Sequence, residues 1–204
     1  MTMGRARRRL LDAAARRFYA DGIAATGIDT VTAEAGVAKM SLYNNFSSKE
    51  ELVLAYLHER HAEWLELCGV RTEAASNPAE RVLAVFDAYL DHAATAYEAG
   101  FRGCGLLNGA AELPAGHPGR EAVRQHKQEV RTILAERLAE GGVGDPEGLA
   151  EHLYLLVEGA VVTAGLQGSQ EAIERARELA ATLLATAGCP GAAPGAPPSP
   201  ADRP

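Results

Sequence analysis

Residues 22–52 read GIAATGIDTVTAEAGVAKMSLYNNFSSKEEL, and this stretch decides the fold. Thr26 is placed to cap a short helix whose inner face carries Ile28, Val31 and Ala35. Gly36 supplies the backbone freedom that a sharp turn needs, and Val37 fills the gap between the two helices. A second short helix follows, with Leu42 and Phe46 four residues apart and facing inward. That leaves Lys39, Met40, Ser41, Tyr43, Asn44 and Asn45 outward, a small face without one acid. A helix that enters a major groove needs such a face, whereas a generic helical hairpin would normally place Glu and Asp there.

The charge around the motif agrees. Residues 1–20 carry six arginines against one acid, Asp12, although the whole chain of 204 residues has a net charge of −7. A basic head on an acidic body suits a local contact with a polyanion better than a wholly basic coat does.

The stretch AEAGVAKMSLYNNFSSKEEL (33–52) resembles the N-terminal DNA-binding signature of the TetR family of bacterial transcriptional regulators. The likeness covers about residues 5–55 and rests on the Ala-Gly-Val turn, the Leu-Tyr-x-x-Phe helix and the Ser-Lys-Glu start of the next helix. Three positions depart from the usual pattern: Thr32 in place of alanine, Ala38 in place of serine, and Asn45 in place of histidine or tyrosine. The resemblance implies that Lys39, Met40, Ser41 and Asn44 approach base edges, Lys39 by donating to guanine and Asn44 by pairing with adenine. It implies that Thr26, Tyr43, Asn45 and Lys49 bind phosphates, and that the N-terminal arginines add unspecific attraction.

The rest of the chain reads as helix. Alanine supplies 40 residues and aromatics only 5%, which favours an all-α fold of about nine helices. The first helix, striped by Leu11, Ala14, Ala15 and Phe18, ends near Asp21-Gly22. Ser47-Ser48-Lys49-Glu50 forms a capping box that opens a long helix to about residue 75. Val82, Phe86, Tyr89, Ala93 and Tyr97 stripe the next, after the Asn77-Pro78 start. A short segment of small residues (104–113) precedes a helix striped by Val123, Val130, Leu134 and Leu138. Two more follow, one after Asp145-Pro146 and one begun by Ser169 with Glu171. The domains expected are a helix-turn-helix head (1–50), a helical effector-binding and dimerisation domain (51–188) and a disordered Pro/Gly/Ala tail (189–204). The longest apolar run, Leu153 to Leu166, is broken by Glu158, so no membrane span is expected. With three widely spaced cysteines and no secretory signal, the chain is placed in the cytoplasm.

For the body, the resemblance implies an effector site and dimerisation through the last two long helices, 149–166 and 169–187. Gly159, Ala160, Ala164 and Gly165 are small enough for close helix approach. The expected ligand walls are His61, Trp64, Phe86 and Tyr89, with Cys104 and the i, i+4 pair Asn108 and Glu112; the same stripe serves equally as plain core. His58 and His61 form an HxxH without a second cluster of ligand spacing, so neither metal nor cofactor is expected. The function expected is a homodimeric repressor, released from a palindromic double-stranded DNA operator by a small-molecule effector. An enzyme that uses Glu112, His117 and Cys104 in the body cavity is the alternative, without a nucleophile elbow, phosphate loop or metal motif to support it. A module that docks a protein partner through its acidic helices is a third reading.

Overall fold

The computed structural model describes residues 4–94 and 100–192, which contain nine α-helices and no strand. They are α1 (Arg5–Asp21), α2 (Ile28–Ala35), α3 (Lys39–Tyr43), α4 (Lys49–Ala74), α5 (Pro78–Ala94), α6 (Gly105–Ala111), α7 (Pro118–Glu140), α8 (Pro146–Gln167) and α9 (Glu171–Thr186). The fold is all-α, as the periodicity requires. Tyr97, the last residue of the α5 stripe, lies outside the described residues, as do residues 193–204 of the expected tail.

The head is a three-helix unit around a small core of Leu10, Ala14 and Phe18 from α1, Val31 and Ala35 from α2, and Leu42 and Phe46 at α3. Gly36 takes φ +60° between α2 and α3, a conformation that carries a steric cost for side chains, and a Cβ there would lie 2.6 Å from Nη2 of Arg9. That same guanidinium donates to the Gly36 carbonyl at 3.2 Å, tying α1 to the turn.

Helix α4 runs unbroken from head to body. Its first half meets the head through Leu52, Val53 and Tyr56, with Tyr56 edge-on to Phe18 at 5.4 Å. Its second half buries Trp64 and Cys68 in the body. There α4 packs on α5 and α7, α7 on α8, and α8 and α5 on α9. The body core includes Val82, Phe86, Leu134, Leu138, Leu153, Ile173 and Leu184.

The helix starts differ in detail from the sequence reading. Ser48 rather than Ser47 caps α4, accepting from the Glu51 amide at 3.1 Å, and the Glu51 carboxylate accepts in return from the amide and hydroxyl of Ser47. The reciprocal box is therefore shifted by one residue. Asn77 and Asp145 cap as expected, through bonds from the amides of Glu80 and Gly148. Thr26 does not cap α2: Gly27 holds that position, and Gln170 rather than Ser169 precedes α9.

Two further expectations change. The chain stays packed beyond residue 188: Cys189 is buried, and the Pro190 carbonyl accepts from the Ala79 amide at 3.1 Å. Helix α8, despite Glu158, is long and apolar enough by length and composition alone to cross a membrane, as buried core helices also are. Its apolarity has two faces. Leu153, Val157, Val161 and Ala164 pack inward, while Leu155, Val162 and Leu166 are exposed, Leu166 at 86%.

Gly165 and Gly159 sit in the same helix with opposite surroundings. A Cβ on Gly165 would stand 2.6 Å from the Gly103 nitrogen and 2.7 Å from its Cα, whereas one on Gly159 meets nothing within 4 Å. Gly165→Ala is expected to destabilise the chain by about 1–3 kcal/mol through overpacking, and Gly159→Ala to leave stability unchanged or raised by about 0.5–1 kcal/mol. Urea unfolding of the two variants measures the contrast.

Candidate functional site

Helix α3 presents its chemistry because Leu42 and Phe46 anchor it from beneath. Lys39, Met40, Tyr43 and Asn44 are exposed, Met40 at 67%, and Ser41 is half-buried. Lys39 Nζ lies 2.8 Å from Asp29 Oδ1 on α2, and this hydrogen-bonded carboxylate raises the lysine pKa. Asn45 is committed locally, its Nδ2 donating to the Ser41 carbonyl at 2.7 Å and closing the end of α3. Thr26 is 2% exposed; its hydroxyl donates to the carbonyls of Gly22 at 2.7 Å and Arg17 at 3.3 Å, which takes it away from any phosphate. Lys49 begins α4 half-buried.

The head's arginines are largely engaged within the protein, a use that their count did not reveal. Arg8 pairs with Asp12 and Glu59, and Arg16 and Arg17 both reach Glu34, at 2.8 and 3.3 Å. Arg7 stacks over the Phe46 ring, its guanidinium carbon 4.4 Å from the centroid.

In the body, the structure brings together four of the seven expected ligand residues. Trp64 and Tyr89 stand with ring centroids 5.5 Å apart, and with Cys104 they line a cavity of about 20 Å³. His61 is adjacent, its Nδ1 2.9 Å from Nδ1 of His126. Phe86 is fully buried core. Asn108 is used locally, donating to the Arg102 carbonyl at 2.8 Å.

Glu112 serves the joint between the parts: its carboxylate accepts from the amides of Ile23 at 2.9 Å and Ala24 at 2.7 Å in the α1–α2 turn. Beside it, Arg102 donates from Nη1 to the carbonyls of Tyr19 (2.7 Å) and Ala20, and from its amide to the Tyr19 hydroxyl at 2.6 Å. That hydroxyl donates onward to the Gly103 carbonyl at 3.1 Å. His117 caps α7, its Nδ1 accepting from the Gly119 amide at 2.9 Å. The imagined acid, base and nucleophile, Glu112, His117 and Cys104, thus occupy three separate bonding environments.

Sequence reasoning missed the polar groups in and beside the cavity. Lys127 is buried, with Nζ 2.6 Å from Glu158 Oε1, 3.4 Å from the Tyr89 hydroxyl and 3.7 Å from Cys104 Sγ. Burial works against its charge, but Tyr89, Cys104 and Glu158 hold the pKa above the ordinary lysine value. His126 is 2% exposed. Both positions fall within the stripe defined by Val123, Val130 and Leu134, so the helical spacing already placed them inside.

Comparison with known proteins adds a decisive observation. Residues 10–56 match the family described as bacterial regulatory proteins, tetR family, and residues 78–180 match the tetracyclin repressor-like C-terminal domain. The chain belongs to the TetR family. It is a DNA-binding transcriptional regulator, and the relatives found are regulators rather than enzymes. The crystal structure of a TetR-family regulator from Streptomyces coelicolor superposes with a TM-score of 0.82 at 34% identity, covering 90% of this chain and 96% of that one. The regulator LmrA of Bacillus subtilis is 27% identical over 146 residues, 71% of this chain and 77% of its own length. The transcriptional activator FasR of Mycolicibacterium smegmatis is 40% identical over 87 residues, 42% of this chain and 39% of its own length.

Burial, with help from Lys127 and His61, pushes the His126 pKa from 6.5 down to about 3, so this ring stays neutral in the folded TetR-family body. Unfolded, it takes up a proton below pH 6.5, and protonation therefore favours the unfolded chain. Stability is expected to fall by about 2 kcal/mol between pH 6.5 and 5 on account of His126. His92, pushed by burial to about 4, adds a loss of the same sign. Urea midpoints at pH 7 and 5 give the difference, and His126→Phe should reduce it to the part that His92 contributes.

Proposed function

We propose that this TetR-family protein is a homodimeric repressor that reads a palindromic operator through α3 and releases it when a small molecule enters the body cavity. The observation that carries the reading is the exposed face Lys39, Met40, Tyr43 and Asn44, free of acids and anchored from below by Leu42 and Phe46. Lys39, Met40, Ser41 and Asn44 are assigned to base edges, and Tyr43 and Lys49 to phosphates. Asn45 and Thr26 act indirectly, by closing α3 and fixing the α1–α2 turn. A five-residue recognition helix offers little contact, and twofold symmetry doubles it.

The exposed residues Leu155, Val162 and Leu166 of α8 and Leu179 of α9 support pairing of these two helices with their copies. The head is taken as residues 1–50 and the effector and dimerisation domain as 51–188, with α4 crossing between them. Such a protein works in the cytoplasm, where the DNA is. Repression is favoured by the tetracyclin repressor-like description of residues 78–180; FasR, an activator, is the counterexample among the relatives.

Selection of bound duplexes from a random pool, followed by affinity measurement across a salt series, tests the reading. Recovery of a palindrome, with log affinity falling steeply against log salt, is expected; no enrichment of any sequence overturns it. Tyr43→Ala should weaken all duplexes alike, whereas Asn44→Ala should relax preference at one position by about 1–3 kcal/mol. Leu166→Glu should shift the protein to a monomer in sedimentation and abolish tight operator binding.

A further inference from the structure

Two side chains of the body reach back and bond the backbone of the head. Arg102 Nη1 donates to the carbonyls of Tyr19, at 2.7 Å, and of Ala20, at the C-terminal end of α1. Glu112 accepts from the amides of Ile23 at 2.9 Å and Ala24 at 2.7 Å, in the turn that follows. The signs are matched: a guanidinium meets the negative end of a helix, and a carboxylate meets turn amides. Each charge-assisted pair grips backbone rather than another flexible side chain, so it fixes a position as well as adding attraction. Both grips fall within residues 19–24, which lead from α1 into α2.

The supports of these side chains are closely packed. Helix α6, which Glu112 follows, lies flush against the head and α4 because it carries glycine at 105 and 109. A Cβ on Gly105 would stand 3.1 Å from the Tyr56 hydroxyl and 3.2 Å from Tyr19 Cδ2, and one on Gly109 would stand 3.2 Å from Ile23 Cδ1 and Leu57 Cδ2. The Arg102–Gly103 backbone is seated on α8, where a Cβ on Gly165 would lie 2.8 Å from the Arg102 carbonyl carbon. Tyr19 closes the same joint, its hydroxyl accepting from the Arg102 amide at 2.6 Å and donating to the Gly103 carbonyl at 3.1 Å. From α1 to α8 the path is one arginine side chain and one glycine contact, whereas the covalent path runs through α4, α5 and α7.

In the dimer proposed above, α8 and α9 face the twofold axis and two copies of α3 meet two half-sites at once. Whatever holds α1 against α8 then sets how far apart, and at what angle, the two recognition helices stand. Moving one half-site by one base pair shifts it about 3.4 Å along the duplex and about 35° around it. A rigid pair of heads accepts one separation, and a pair free to swing accepts several. We propose that Arg102 and Glu112 are positioning residues that set the half-site separation the dimer accepts. They act through the end of α1 and the turn after it, not through a base or a phosphate. The proposal rests on the dimeric operator reading above and adds to it a determinant of operator choice outside the recognition helix.

The palindrome recovered by selection is rebuilt with its half-sites one base pair nearer, and one and two base pairs farther apart, and each duplex is titrated with the full-length protein. For the parent chain a change of one base pair should weaken binding about tenfold or more, because the second head no longer engages together with the first. Arg102→Met keeps the stem and removes the donors, and Glu112→Gln leaves one acceptor for two amides. Each should narrow that penalty to about threefold or less, while affinity for a duplex with a single half-site stays at the parent value. Arg102→Lys, which restores a cationic donor, should recover most of the penalty. Residual dipolar couplings of the ²H,¹⁵N-labelled protein without DNA give a second readout: head and body should share one alignment in the parent and lose it in the variant that carries both Arg102→Met and Glu112→Gln.

A palindrome bound with the same separation profile by the parent and by both single variants overturns the proposal and leaves the operator reader standing. A loss of affinity that is equal at every separation and at the single half-site overturns it as well, since that marks a destabilised fold rather than a lost position. So does a common alignment of head and body in the double variant, because the heads are then held by something else. A chain that enriches no duplex removes the operator reading, and the spacing rule falls with it.

Discussion

The backbone of Arg102–Gly103 lies so close to α8 that position 165 admits no side chain, and the attachment of the head depends on that contact. Helix α4 joins head and body covalently, but a single helix leaves rotation about its axis open. The Arg102 guanidinium removes that freedom by meeting carbonyls at the end of α1, where a helix leaves its last carbonyls unsatisfied and its dipole is negative. Glu112 completes the attachment from α6 by accepting the two turn amides that follow. The segment has the cavity residues Cys104 and Gly105 next in sequence, so one short stretch touches the cavity, the DNA-binding head and the helix with the exposed leucines.

The body balances its buried polarity within itself. Lys127 and Glu158 neutralise each other between α7 and α8, and His61 and His126 meet between α4 and α7. Such groups add little net stability over an apolar core, but they fix register, since a slide of one helix against another would leave a charge or a ring nitrogen without its partner. Trp64, Arg60 and His126, whose Nε1, Nε and Nε2 have no hydrogen-bond partner within the protein, lie together beside a cavity of about 20 Å³.

Much of the fold was legible because its rules are local. Helix limits followed from Gly22, Gly36, Pro78 and Pro146, each of which acts within one turn of its position. The exposed face of α3 was legible for the same reason: Leu42 and Phe46 point one way, so Lys39, Tyr43 and Asn44 point the other. Long-range chemistry was not legible. Glu112 shares a helical face with Asn108, yet its partners are 88 and 89 residues away in sequence. Thr26 had the residue type and place of a cap, but the turn after α1 drew its hydroxyl backward. The arginines gave a correct head charge and a wrong picture of its availability, because Glu34 and Glu59, the latter outside the motif, return to meet them.

On the proposed assignment of Lys39 to a base edge, its contact with Asp29 changes what DNA must do to engage α3. The ammonium is held by an internal rival, and a duplex gains from Lys39 only what exceeds the bond it displaces. A lone phosphate offers a charge much like that of the carboxylate and makes a nearly even exchange. A guanine edge offers two acceptors on a rigid plane, with a shape the carboxylate does not reproduce. In that proposed reading Asp29 taxes unselective adhesion more than it taxes the correct site, and contributes to discrimination by competing with DNA for Lys39.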